Sequence, residues 1–340
     1  LMQMDSNELP QNLKSANWDY AFRYATVPYT LNLDVEQVQP RITVETLVNA
    51  KLEPQILVLQ AFSKYNIERA GIFQLSWDLP DGFSVTSVHG QNINGSQPLN
   101  VESHHVEDVD GKKRLIVNLS RKAIGVQGLV ITLDKKLDEP DLITPTGNAV
   151  AMAIECPMVA ADTVQRASGS LVLYAPESLR VNPVDTEGLR NISFDEAIQT
   201  MQMPPAYPGT VRPVLSYAYG DEPTKLSLDI ERRKPQVTIR QFMAIDVEDG
   251  VIKYSDTFFY TIQYSGVKSI RIDVPTEISA TIRCDTPNIR DSVIDPPPED
   301  IEEGYTAWQF AGESELFGNG QILLTWEKKL EQLTVGGSVN

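Results

Sequence analysis

The feature that most constrains the fold of this chain is an internal repeat. Residues 28–80 match residues 223–275 at a constant separation of 195 positions, without a gap. A repeat of this length indicates that one supersecondary unit is present twice, so we expect both copies to fold alike. The matching residues include Pro28 and Pro223, Leu31 and Leu226, Leu33 and Leu228, Asp34 and Asp229, Pro40 and Pro235, Tyr65 and Tyr260, Gly71 and Gly266, and Pro80 and Pro275.

A second match marks the end of each copy. Residues 129–137 match residues 322–330 at a separation of 193 positions, so the two copies differ by a net two residues in their loops. Each copy, residues 18–137 and residues 215–334, contains about seven short strand-like segments, as immunoglobulin-like sandwiches do. We predict an all-β protein built from two homologous immunoglobulin-like β-sandwich domains.

Alternation of apolar and polar residues is the evidence for the strands. The aromatic residues within 18–24 share one parity, which predicts a half-buried strand. Gly71 and Gly266 interrupt the alternation at the same place in the two copies. This coincidence predicts a β-bulge or a backbone bend with positive φ.

A connector, residues 138–214, joins the two copies and is itself rich in strand-like apolar runs. It also contains a helix signal, because Ser193 and Glu196 have the spacing of a capping box. We predict one short helix near residues 194–202 and expect the β-rich connector to pack against one or both sandwiches.

The chain is acidic, with 46 Asp and Glu against 29 Lys and Arg and a formal net charge of −17. Such a surface repels phosphate backbones and anionic lipid headgroups, which argues against nucleic-acid and membrane-surface partners. No apolar run reaches the roughly 18 residues of a membrane helix, so we expect no membrane insertion within this chain.

We expect the chain to be part of a longer protein. It begins with Leu1 and carries no secretion signal, and copy plus connector form a unit that we expect to recur. Residues 1–17 and 335–340 are predicted to be disordered or extended tails. Cys156 and Cys284 lie far apart in sequence, which is compatible with one disulfide or with two free thiols.

Four short segments resemble a known group of proteins. They are residues 20–24, 70–73, 79–85 and 165–171, and they contain packing and turn motifs rather than catalytic ones. In the order of these elements the chain resembles the large β-rich envelope-associated proteins of planctomycete-type bacteria. The resemblance implies an extracytoplasmic location in the cell envelope and implies no activity for any residue.

One short segment collects metal-binding residue types. His104, His105, Glu107, Asp108 and Asp110 carry the donor atoms that zinc prefers, and the carboxylates alone suit calcium. The competing interpretation is a solvated loop that ends in an Asp-Gly hairpin turn, and it is favoured because polar residues concentrate in loops. We therefore predict no resident cofactor, with calcium or zinc as the alternative.

The corresponding loop of the second copy, residues 291–303, is acidic and proline-rich and contains no histidine. Calcium is again an alternative, but a charged and extended surface loop is favoured. Because the loops differ while the strands repeat, we expect any specific function to lie in the loops.

Aromatic side chains offer a further candidate site, because exposed rings can stack against sugars. The candidate ligand contacts are Trp18, Tyr20 and Trp308. The favoured alternative is that these residues belong to the core, as we predict more strongly for Trp77 and Trp326.

No nucleophile-elbow, zinc-protease, phosphate-loop or dinucleotide-binding motif occurs in the sequence, so we predict that the chain is not an enzyme. The leading hypothesis is a non-catalytic structural or protein-interaction module of a larger repeat-containing extracytoplasmic protein, with a protein or glycan of the envelope as partner. The alternatives are a glycan-binding module, calcium-dependent or not, and a glycosidase-like enzyme. Exposure of the aromatic face of residues 18–24 would favour glycan binding. Two convergent carboxylates in a deep cleft would favour the glycosidase.

Overall fold

The computed structural model describes residues 1–340 apart from 6–7, 12–17, 19, 35, 37, 94–97, 200–210, 249 and 330–340. Strands make up 66% of the structure and the described residues contain three short helices, so the prediction of an all-β protein is confirmed. Contacts divide the chain into two compact units, an N-terminal unit, Leu1–Pro40, and a main unit, Arg41–Asn340.

The secondary structure is a succession of strands interrupted by three helices of one or two turns. The strands are β1 (Met2–Met4), β2 (Ala21–Arg23), β3 (Arg41–Glu53), β4 (Ile56–Asp78), β5 (Ser84–Gln91), β6 (Val101–Val109), β7 (Lys112–Lys136), β8 (Ala149–Ile154), β9 (Met158–Val159), β10 (Arg166–Ala175), β11 (Leu179–Glu187), β12 (Leu189–Asn191), β13 (Arg212–Tyr219), β14 (Lys225–Arg232), β15 (Gln236–Glu248), β16 (Val251–Pro275), β17 (Arg283–Cys284), β18 (Ile289–Val293) and β19 (Tyr305–Lys329). The helices are α1 (Pro140–Ile143), α2 (Phe194–Gln199) and α3 (Thr276–Ser279).

Two antiparallel meanders dominate the main unit. The first meander consists of β3, β4 and β7, and the second meander consists of β15, β16 and β19. Their registers are equivalent: Arg41 faces Glu68 in the first, and Gln236 faces Gln263 in the second, each 195 positions further along. The strands are rich in β-branched and aromatic residues, which suit a pleated surface with one buried face.

Both meanders contain the same β-bulge. The ladder between β4 and β7 shifts between Ile67 and Ile72, and the ladder between β16 and β19 shifts 195 positions later. Arg69 and Tyr264 occupy equivalent positions in these bulges and have φ angles of 67° and 72°. A bulge at this place was one of the two predictions for the repeated glycines, and it is confirmed.

The glycines themselves are needed for close approach rather than for positive φ. A Cβ atom on Gly71 would lie 2.7 Å from the carbonyl oxygen of Ala123, and one on Gly266 would lie 2.8 Å from Glu315 Oε2. The positive φ angle falls two residues earlier in each bulge. The bend prediction was therefore wrong about which residue adopts the left-handed conformation.

Strands from outside the first meander complete it as one layer of a sandwich. β10 pairs in parallel with β3, and β13 and β12 extend the same sheet beyond β10. β8, β14 and β11 form a separate three-stranded sheet. Leu226 and Leu228 of β14 share one buried cluster with Val48 and Leu59 of the first meander, so the two sheets pack face to face.

At one equivalent cross-strand pair, the two meanders carry a tryptophan on opposite strands. Trp77 on β4 faces Leu115 on β7, whereas Ile272 on β16 faces Trp308 on β19. Each strand pair thus holds one tryptophan and one aliphatic residue, which keeps the local volume similar. Trp77 is fully buried, and its indole N–H donates to the Tyr65 hydroxyl at 2.7 Å. The prediction that Trp77 is a core residue is confirmed.

Helix α2 begins where the capping box predicts. The Ser193 hydroxyl accepts a hydrogen bond from the backbone N–H of Glu196 at 3.1 Å, which satisfies one of the unpaired donors of the first turn. Ala197 is the fully buried residue of this helix and packs beside Val172 and Tyr174 of β10. The helix is confirmed over residues 194–199, and the rest of its predicted range lies outside the described residues.

The segment that was predicted as a solvated loop is a strand. Residues 101–109 form β6, which pairs with β7 from Val109 opposite Lys112 onward. The connecting residues Asp110 and Gly111 have φ angles of 52° and 79°, as a two-residue type I′ hairpin turn requires. The turn prediction is confirmed, and the loop prediction was wrong because the ladder to β7 supports even a strand that is polar on both faces.

Candidate functional site

The five candidate metal ligands do not converge. Because side chains alternate along β6, His105 and Glu107 lie on one face, with His105 Nε2 4.0 Å from Glu107 Oε2, while His104 and Asp108 lie on the other. Asp110 sits in the turn. Across the described residues, no group of three or more His, Cys, Asp or Glu side chains is placed to hold a metal ion. The zinc and calcium hypotheses have no geometric support there.

One arginine, Arg271, binds the acidic loop of the second copy, residues 291–303. Arg271 donates to Asp273 at 2.8 Å and to Asp300 at 2.6 Å, and the bond from Arg271 holds the pKa of Asp300 below its usual value. Asp300 is the loop carboxylate that Arg271 pairs with, while Asp273 lies on β16 together with Arg271.

The candidate aromatic contacts differ in their surroundings. In the N-terminal unit Tyr20 and Tyr24 are exposed, Tyr20 by 70%, and the Tyr24 ring stacks on Tyr29 with centroids 4.8 Å apart. Trp18 is also more than half exposed. The expectation that this stripe is core is therefore wrong. The reason is that β2 pairs only with the three-residue β1 among the described residues, and this short ladder does not cover the stripe.

Trp308 and Trp326 lie in the second meander and are partly buried. Trp308 packs against the hydrophobic cluster of the meander and donates its indole N–H to Ser279 Oγ at 3.0 Å. Trp326 stacks in parallel on Tyr254, with ring centroids 5.0 Å apart. Neither ring presents an open face of the kind that Tyr20 does.

The two cysteines are free thiols, which was one of the two alternatives. Cys156 is buried, and burial raises the pKa of its thiol to about 12, so it is protonated and unreactive at neutral pH. Its backbone N–H donates to Thr224 Oγ1 at 3.2 Å. Cys156 therefore acts as a small core residue.

The most unusual surface of the main unit is β15. It is 13 residues long, it is exposed along its whole length, and within the described chain it pairs with β16 on one side only. A long edge strand presents unpaired backbone N–H and C=O groups that can pair with another strand. Natural edge strands are usually short, bulged or covered, and β15 is none of these.

One face of β15 is apolar as well as exposed. Its exposed side chains lie beside partly buried aromatic residues of β16 and β19. Together they form a surface that we call the uncovered face; it comprises Val237, Ile239, Met243, Ile245, Val247, Phe258, Tyr254 and Trp326. On the β16 and β19 side of the same face, Ile252, Ile322 and Leu324 are buried. A concavity of about 770 Å³ lies on this face beside Ile245, Tyr254, Ile282 and Trp326. Contiguous exposed apolar surface of this kind marks an interaction site.

Comparison with β3 shows what the uncovered face lacks. Val48 and Leu52 of β3 are both 0% exposed, whereas their counterparts Met243 and Val247 in β15 are 44% and 62% exposed. β3 has β10 at its edge and the sheet of β8, β11 and β14 over its face. No described strand takes either place for β15.

A polar pair lies within the uncovered face. Asp256 is nearly buried at the position that Ala61 occupies in the first meander, and Gln241 Nε2 donates to its Oδ2 at 2.6 Å. Burial raises the pKa of Asp256, and the bond from Gln241 opposes that rise by a smaller amount. Among the residues that the structure describes, the other carboxylate oxygen of Asp256 has no hydrogen-bond partner.

Comparisons with protein-family models and with curated proteins find no match to this chain. In the part of the chain that the structure describes, no helix is long and apolar enough to cross a membrane.

Sequence reasoning did not identify β15 as a candidate site. Its alternation is the same as that of β3, and alternation records which face is apolar without recording whether another layer covers it.

Proposed function

We propose that the chain is a non-catalytic structural and protein-interaction module of a repeat protein, in which each meander is completed by strands from a connector. In this proposal the two meanders are copies of one duplicated unit. The first is a complete two-layered sandwich of immunoglobulin-like size, and the second is a half-sandwich that accepts strands. The observation that carries the proposal is the exposure of β15 against the burial of β3.

Three further features support the proposal. The registers and the bulge agree between the meanders, so the strands that complete the first define the shape that would complete the second. The candidate metal ligands are dispersed. The acidic surface disfavours nucleic acid and membrane as partners. Location in the cell envelope is part of the proposal and rests on the resemblance to the planctomycete-type proteins.

The test is to give the second meander a connector of its own. A chain in which a second copy of residues 137–232 follows Lys329 places that connector in the frame in which residues 137–232 follow Lys136. We expect the amide hydrogens of β15 to become as protected from exchange as those of β3. The control is the same extension with Leu171→Asp and Leu228→Asp in the added copy, which removes the apolar residues that cover the face. Unchanged exchange at β15 in the intact extension would refute the proposal.

A second candidate function is glycan binding, and the exposed rings of Tyr20, Tyr24 and Tyr29 favour it. Aromatic rings with one free face stack on sugars. A panel of soluble glycans, with calcium and with a chelator, should then raise the unfolding temperature of the native chain and leave Tyr24→Ala unchanged. A ligand at one hundred times its Kd adds about 2.7 kcal/mol to the free energy of unfolding. A flat panel would remove this candidate.

A further inference from the structure

The repeat extends further toward the N-terminus than the first matching prolines. At the same separation of 195 positions, Tyr20, Phe22 and Tyr24 correspond to Leu215, Tyr217 and Tyr219 of β13. The correspondence then runs through Leu31 and Leu33, which match Leu226 and Leu228 of β14. Residues 20–34, which we call the donor segment, are thus a second version of the β13–β14 region.

The two versions have opposite environments. In the main unit Tyr217, Tyr219, Leu226 and Leu228 are buried in the core cluster of the first meander, Leu228 with 1% exposure. In the N-terminal unit their counterparts Tyr24, Leu31 and Leu33 are exposed, Leu33 by 64%. The described residues 24–34 form no strand. The donor segment therefore has the side chains of two core-forming strands, one from each sheet of the first sandwich, and among the described residues those side chains are exposed.

The uncovered face of the second meander has the reverse property. It has the register of a surface that β14 covers in the first meander, and no described strand lies over its β15 side. Its β16 and β19 side is partly covered, because Ile322 and Leu324 are buried there together with Ile282. Among the described residues, the donor segment thus exposes side chains whose counterparts in β13 and β14 are buried, and β15 exposes side chains whose counterparts in β3 are buried. The first meander, with β13 and β14 in place, is an internal example of the two joined.

We propose that two copies of this chain associate head to tail, the donor segment of one copy docking on the uncovered face of the second meander of the other. Leu31 and Leu33 lie over the face as Leu226 and Leu228 lie over the first meander. This inference rests on the proposed function, because it names a second copy of the chain as the partner of the half-sandwich.

The strength of this association, and the species it produces, depend on which strands the donor segment supplies and on the charge of each copy. The donor segment replaces β13 and β14 but supplies no counterpart of β8, β10 or β11, so the contact between copies is weaker than the one within the first sandwich. Each copy carries a net charge of −17, so the copies repel and we expect association to strengthen as salt screens them. The contact joins two different surfaces, so copies associate either into closed rings, including reciprocal dimers, or into open chains.

The test uses variants at exposed positions, which leave the core intact. The donor variant carries Leu31→Glu and Leu33→Glu, and the acceptor variant carries Ile245→Glu and Val247→Glu, because a charge placed in the contact opposes its burial. The matched control is Val184→Glu, an exposed apolar residue of β11 outside both surfaces. Sedimentation velocity over a range of concentrations measures the size of each protein and of the mixed variants.

We expect the native chain and V184E to form dimers or larger species as concentration rises, and each variant alone to weaken association about tenfold or more. A mixture of the two variants should form a one-to-one dimer that grows no further, because one intact donor meets one intact acceptor. Association that survives in the donor variant but not in the acceptor variant would overturn the head-to-tail contact in favour of pairing between two β15 edges. A native chain that stays monomeric at all concentrations and salt levels would also overturn it.

Hydrogen exchange at β15 on the same samples separates this inference from the proposed function. A monomer whose β15 amides exchange freely overturns self-association and leaves a half-sandwich that takes strands from another source. A monomer whose β15 amides are as protected as those of β3 overturns both.

Discussion

β3 and β15 occupy the same place in two meanders, 195 positions apart, and their environments are opposite. They pair with β4 and β16 in the same register, and the strands that follow contain the same bulge. β3 nevertheless lies in a core, whereas β15 lies in solvent. The difference indicates that strand pairing in this chain is a local property of each meander, while burial depends on strands that lie outside the meander in the sequence.

The physical reason is that the two kinds of interaction have different ranges. A hairpin register follows from the turn and from the alternation of the residues next to it, so each copy carries that information itself. Coverage of the apolar face requires β10 and the sheet of β8, β11 and β14, which begin thirteen or more residues after β7 ends. Two meanders with equivalent registers can therefore differ, one lying in a core and the other exposed along β15.

The largest effect should come from placing the same charge at one equivalent position in each meander. Leu52→Asp buries an unpaired carboxylate in a core, which we expect to lower the free energy of unfolding by about 4 kcal/mol. Val247→Asp, at the equivalent position of β15, places the carboxylate in solvent and should change it by less than about 0.5 kcal/mol. Urea unfolding followed by circular dichroism measures both. Equal losses would mean that β15 is as covered as β3.

The same difference between local pairing and burial explains which features of the fold the sequence predicts. The register, the bulge near Gly71 and the capping box at Ser193 were predictable because each depends on residues close in sequence. The strand β6 was mistaken for a loop because its pairing with β7 outweighs its polar composition.

The candidate site was less predictable. Tyr20 and Tyr24 were expected in a core because alternation alone does not distinguish a covered aromatic face from an exposed one. The dispersal of His104 and His105 to opposite faces follows from the strand that the sequence did not predict. The exposure of β15 could not be predicted, because alternation records which side of a strand is apolar and not whether a described strand lies over it.

A smaller effect should come from moving the tryptophan of the first meander to its position in the second. Trp77→Ile alone should cost about 2 to 3 kcal/mol because it leaves a cavity and an unpaired Tyr65 hydroxyl. Adding Leu115→Trp reproduces the pairing of Ile272 with Trp308, and we expect a favourable coupling of about 1 kcal/mol between the two changes. Thermal and urea unfolding of both single variants and the double variant give this coupling. A double variant that loses the sum of the two single losses would show that the meanders do not share this packing.

The smallest effect concerns Asp256, where the second meander holds a carboxylate and the first holds Ala61. Burial raises the pKa of Asp256 in the folded state. At pH values between the ordinary pKa of aspartate and this raised pKa, the folded state therefore keeps a proton that the unfolded state has released. The free energy of unfolding of the second meander therefore falls as pH rises through that window, and the charged carboxylate remains unfavourable at neutral pH.

Asp256→Asn keeps an acceptor for Gln241 and removes the charge, so it should stabilise this meander at pH 7. Below the ordinary pKa of aspartate, the stability of the variant should converge with that of the native chain. Exchange of the β16 amides at neutral and acidic pH measures the difference, with exposed Asp246→Asn on β15 as the control. If the asparagine variant were less stable at pH 7, the charged carboxylate would instead stabilise the uncovered face. The pair of Gln241 and Asp256 would then mark the place where an incoming strand donates a hydrogen bond to the second oxygen of Asp256.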